Sequence, residues 1–165
     1  MNINQFFVVA ISVVFIGTAC AEASKKDQEF LAKAATGGLY EVEAGKLAQA
    51  KGVSEEVKAF GSMLVKDHGM ANDELKQLAI NKGVPLPDQI STTKQSRLGK
   101  ISKATNFDLE FVKEIGIKDH KTDIALFEKA AKGSDDSDVK AFARKSLPAL
   151  KNHHDHAVSL RKSLK

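Results

Sequence analysis

The sequence is poor in the residues that staple or line many small proteins. It has one cysteine, three prolines, one tyrosine and no tryptophan in 165 residues. A single cysteine excludes an internal disulfide framework and any zinc site built on thiolates. The scarcity of aromatics, with no hairpin signal and no alternating strand pattern, argues against a β-sandwich or an aromatic-lined pocket. Lys+Arg 25 against Asp+Glu 21 leaves +4, spread along the chain with no basic run interleaved with aromatics, so no nucleic-acid partner is expected. There is no Ser/His/Asp or Cys/His arrangement and no glycine-rich phosphate loop, which makes an enzyme the weakest functional reading.

Residues 1–21 carry no charged side chain and contain the apolar run Phe6 to Ile16. Eleven residues are too few to span a bilayer comfortably but fit the core of an export signal. Two processing routes are open. Cleavage after the A-x-A-type stretch Ala19-Cys20-Ala21 releases residues 22–165. Alternatively Cys20 is lipidated and attaches the domain to the outer membrane, a match weakened by Gly17 three positions earlier. Both place the domain outside a bacterial cytoplasm.

Residues 22–165 read as helix followed by stop, repeated. The first helix runs from about Asp27 to Lys51 and stops at Gly52. The second opens on the N-cap Ser54, with Glu55 and Glu56 in its first turn, and ends before Gly83-Val84-Pro85-Leu86-Pro87. The polar stretch within 83–105 is a crossover holding a short helix. The third helix begins near Asn106-Phe107-Asp108 and stops at Gly133. The fourth opens in the acidic run 134–138 and continues nearly to Lys165, with Pro148 expected to kink it. Short breaks after helices one and three, with a long connection between two and three, predict an all-α, ferritin-like up-down four-helix bundle with one crossover.

Steps of four and three residues mark the buried seam of each helix. In the second helix the seam is Val57, Gly61, Leu64, His68, Ala71, Leu75, Leu78. In the fourth it is Val139, Ala143, Ser146, Leu150, His153, Ala157, Leu160, Leu164. The first reads Leu31, Ala34, Gly38, Glu41, Gly45, Ala48, and the third Ile117, His120, Ile124, Phe127, Ala131. Glu41, His68, His120 and His153 thus fall on the seams near mid-helix, and a rise of about 1.5 Å per residue sets them at similar height. Glu43 lies off the seam and is read as solvent-facing, while His154, Asp155 and His156, also off it, are read as a solvated face or an adventitious metal site rather than a designed one. Asp67 and Asp119 each precede a seam histidine; contact with those histidines is one reading, surface charge the favoured one, because adjacent residues do not share a helix face.

A buried carboxylate and three buried imidazoles are costly without partners. One divalent transition metal removes the cost, since neutral imidazoles and a carboxylate are the donors it takes. The set suits Zn²⁺, Fe²⁺, Mn²⁺ or Cu²⁺ without choosing among them. No Glu-x-x-His pair accompanies any of the histidines, so a single ion is expected rather than a di-iron centre. A hydrogen-bonded histidine core in a structural or interaction module is the alternative.

The segments Tyr40-Glu41-Val42-Glu43-Ala44-Gly45, Met63-Leu64-Val65-Lys66-Asp67-His68, Phe107-Asp108 with His120, and Leu147-Pro148-Ala149-Leu150-Lys151-Asn152-His153 together resemble those of a known family. It is the domain-of-unknown-function family 4142 of exported bacterial proteins, placed among ferritin-like folds. The resemblance spans about Asp27 to Leu160. It implies a helical bundle outside the cytoplasm, carries no settled activity, and places Glu41, His68, His120 and His153 where the seams place them.

Overall fold

The computed structural model describes residues 23–164, so the export-signal reading of residues 1–21, and Cys20 with it, lies outside the described residues. Among the described residues there are helices and no strand. Helix α1 is Lys25–Lys51 and α2 is Glu55–Asn81. The crossover contains α3, Thr92–Ile101. The third long helix is continuous over 107–133 but composite: α4, Phe107–Phe111, a π-helical segment, Val112–Asp119, and α5, His120–Gly133. Helix α6 is Ser137–Ser163 and passes unbroken through Pro148, whose ring is exposed.

The starts of α2, α3, the third long helix and α6 are each set by a side chain that accepts an otherwise unpaired backbone N–H. Ser54 accepts from Val57 N, Ser91 from Lys94 N, Asn106 from Leu109 N, and Asp136 from the amides of Asp138 and Val139. Two buried aspartates then clasp the ends of the bundle. Asp27, at the start of α1, accepts from Asp135 N and Asp136 N in the turn before α6. Asp108, at the start of the third long helix, accepts from Val53 N and Ser54 N in the turn before α2. These clasps fix the directions. Helix α1 starts beside the 134–136 turn, and the third long helix starts beside the 52–54 turn. The order is therefore up, down, down, up, and the crossover must travel the full length.

Helices α1 and α2 approach backbone to backbone at Gly45 and Gly61. A Cβ on Gly45 would lie 2.6 Å from the Gly61 carbonyl oxygen, and one on Gly61 would lie 2.7 Å from that of Gly45. Gly45, one turn from Glu41, thus serves backbone-to-backbone packing against α2. Two apolar clusters fill the bundle. One holds Phe30, Leu31, Leu75, Phe127, Val139 and Phe142; the other holds Tyr40, Phe60, Leu64, Phe111, Ile115 and Leu160. The buried polar side chains His68, His120, His153 and Glu41 belong to neither.

Candidate metal centre

Each long helix sends one polar side chain to the middle: Glu41 from α1, His68 from α2, His120 from the first residue of α5, and His153 from α6. Their relative exposures are 1%, 7%, 0% and 1%. The three imidazoles form a triangle with ring centroids 5.3, 5.3 and 5.6 Å apart. One nitrogen from each of the three lies within 4.8 Å of the other two.

The proton positions follow from what each ring nitrogen faces. His120 Nδ1 is 3.0 Å from the Ile115 carbonyl oxygen, which can only accept, so Nδ1 carries the hydrogen. His153 Nε2 is 3.0 Å from Asp67 Oδ2, so in that ring Nε2 donates. The inward nitrogens, His120 Nε2 and His153 Nδ1, are 3.2 Å apart. With both rings neutral, two lone pairs point at one another across that gap. His68 Nε2 is buried with no hydrogen-bond partner. Burial pushes the His120 imidazole down to about 4, the Ile115 carbonyl acting in the opposite sense. Burial, then the two neighbouring imidazoles, holds His68 well below the usual imidazole value. Both rings are accordingly neutral at neutral pH.

Glu41 stands beside this set. Its Oε1 is 3.9 Å from His120 Nδ1, on the ring edge occupied by the Ile115 carbonyl and away from His120 Nε2, which faces His153. Neither carboxyl oxygen has a hydrogen-bond partner. Burial, reinforced by the charges of Asp123 and Asp119, raises its pKa well above the ordinary glutamate value.

Asp67 is no free surface charge: it crosses from α2 to orient the His153 ring. It follows Leu64 by three residues, the step that places it at the edge of the seam. Asp119 does not contact the histidines through its carboxylate. It receives two hydrogen bonds from Arg97 of α3, at 2.8 and 2.6 Å, and Arg97 also donates to Glu114 at 3.0 Å. With Lys94 Nζ 4.0 Å from the Tyr40 ring centroid, this clamp seats the crossover over the middle of α1. Glu43 pairs with Lys46 and His154 with Asp155 toward solvent, and the His156 ring lies against Phe60. None of these joins the triangle.

A cavity of about 400 Å³ adjoins the histidines, and His68 and His153 both line it. Asp67, Asp123 and Met70 share that lining. Burial pushes the Asp123 carboxyl up to about 6.

No curated protein matches the chain. Two solved structures share its fold. A DUF305 fragment from Deinococcus radiodurans superposes with a TM-score of 0.75 at 10% identity, covering 87% of this chain and 99% of that one. The structure described as CopM in the Cu(I)-bound form superposes with a TM-score of 0.71 at 15% identity, covering 83% and 96%. At such identities the likeness concerns the fold alone. A family model described as a domain of unknown function, DUF4142, matches residues 17–160, and the chain belongs to that family.

Proposed function

We propose that this protein is an exported metal-binding bundle that holds one transition-metal ion on His68, His120 and His153 and acts in metal handling or stress tolerance. The observation that carries this reading is the approach of two inward ring nitrogens, His120 Nε2 and His153 Nδ1, to 3.2 Å, while the outer nitrogen of each ring faces an acceptor, the Ile115 carbonyl and the Asp67 carboxylate. Two nitrogens bound to one tetrahedral ion at about 2.0–2.1 Å stand about 3.3 Å from each other. Outward hydrogen bonds to a carboxylate and to a backbone carbonyl are also the usual way metal-bound imidazoles are oriented. The donor set favours ions that accept imidazole, among them zinc and copper, over magnesium or calcium. The Cu(I)-bound neighbour of like fold supports placing copper among the ions tested first. The export-signal pattern of residues 1–21 supports delivery outside the cytoplasm. In this reading Glu41 acts on His120 through its position at the Nδ1 edge and is not one of the three donors.

A second reading has a specific observation in its favour. One extra proton on His153 would let it donate to Asp67 and to His120 Nε2, giving a hydrogen-bonded core without metal. It leaves His68 Nε2 buried and unpartnered, at a cost of roughly 1–3 kcal/mol. Elemental analysis of untagged protein, with thermal melts in Zn²⁺ and Cu²⁺, separates the two. The metal reading expects one ion per chain and a melting point raised by roughly 5–10 °C at saturating ion. His68→Leu should keep its helical spectrum and lose the rise. A wild type that purifies metal-free and melts identically with every ion leaves the proton-bridged core.

A further inference from the structure

An ion bound by the three histidines must reach nitrogens that are almost wholly shut off from solvent. A cavity of about 400 Å³ touches them, through His68 and His153. Three further cavities lie against Lys26 and Ser134, beside the break at residues 83–88, and along α3, and these three are not lined by a histidine of the set. The lining of the first cavity is graded. Its outer part carries Met70, 57% exposed, and the Glu74–Lys145 ion pair, which joins α2 to α6 at 2.7 Å. Three carboxylates line it, Asp67, Glu74 and Asp123, against one cation, Lys145. Asp123 is the least committed of the three. Asp67 is held by His153 and Glu74 by Lys145, whereas no hydrogen bond contributes to the state of Asp123.

Resting on that reading of the metal centre, we propose that this cavity is the path by which a metal cation enters and leaves, with Asp123 as a carboxylate that takes the ion in transit. The acidic lining concentrates cations and repels anions. Hard oxygen donors hold borderline ions more weakly than imidazoles do, so an ion resting at Asp123 passes on to the histidines. A plug in the path slows entry and exit by the same factor and leaves the equilibrium affinity alone, because it touches neither end state.

Ala71 and Ala149 line the cavity from α2 and α6, without belonging to the donor set. Zn²⁺ transfer between the protein and a chromophoric chelator gives both rates and their ratio. In Ala71→Phe, loading and loss should each slow by about tenfold or more, with the ratio unchanged within about twofold. Asp123→Leu should slow both rates by about threefold or more. Lys145→Ala, which removes the single lining cation, should load about threefold faster at low ionic strength, a gain lost in about 0.5 M salt. If Ala71→Phe disturbs the fold, Ala149→Phe plugs the same space from the opposite wall. A folded, metal-binding plug variant that exchanges at wild-type rates overturns the route while leaving the metal centre standing. A wild type that takes up no Zn²⁺ at equilibrium overturns the metal centre, and the route with it.

Discussion

Glu41 and Asp67 show how differently two carboxylates near the same imidazoles are held. Asp67, half-buried, has a donor in His153 and keeps a solvated edge. Glu41 is buried beside His120 with neither oxygen hydrogen-bonded, so burial drives it toward the protonated form. The sign of its linkage follows. A folded-state pKa above the ordinary glutamate value of about 4.3 means that stability is fully present below that value and falls as pH rises toward the folded-state pKa. Glu41→Gln keeps the shape and removes the titration. In chelator, its melting point should exceed that of the wild type at pH 8, by an amount corresponding to about 1–3 kcal/mol, and the difference should close near pH 4. Thermal melts across that range check it. A variant less stable than wild type at pH 8 would mean that the ionised carboxylate has a partner in the folded protein.

At the scale of the helices, the periodicity of the sequence held wherever the helix was regular. The cap Ser54, the start of the third long helix near Asn106 and the seams of α1, α2 and α6 were all legible, because helix starts and four-three spacing are local properties of the chain. The third long helix was not. An α-helical seam through His120 runs back to Ile117, whereas the fully buried residues are Val112, Ile115, Gly116 and His120. The π-helical segment widens the turn, so Ile115 to His120 is a step of five, which no α-period displays. The Arg97 clamp was equally invisible, since it depends on where the crossover comes to rest. The same segment accounts for Gly116. A Cβ there would meet Ala157 Cβ at 2.5 Å and Phe60 Cε1 at 3.1 Å, so α6 can approach only a glycine. Gly116→Ala should destabilise by about 1–3 kcal/mol despite alanine's better helix propensity. Gly99→Ala, on exposed α3 with nothing within 4 Å of the added methyl, should instead stabilise by about 0.5–1 kcal/mol. Denaturant melts of the two variants carry opposite signs if the helix packing is as described.

Across the whole molecule, the histidine layer separates two apolar clusters, so protonation there acts on the contact between the two halves of the bundle. His68 and His120 both sit below the ordinary imidazole value, His120 at about 4. A depressed pKa gives stability that is fully present above about 6.5 and is lost as pH falls toward the folded-state value. Glu41 and Asp123, both raised by burial, work in the opposite direction within that window, so the measurement belongs in the Glu41→Gln/Asp123→Asn background. There the metal-free protein should melt at a constant temperature from pH 8 to about 6.5 and at progressively lower temperature down to about pH 4. The increment from saturating Zn²⁺ should shrink over the same interval, because protons and metal compete for the same lone pairs. His68→Leu should flatten part of the acid limb in the metal-free protein and abolish the increment at every pH. An increment that survives at pH 4 would place the ion on donors other than the imidazoles, while an acid limb unchanged by His68→Leu would mean that His68 takes up its proton without disturbing the contact between the two halves.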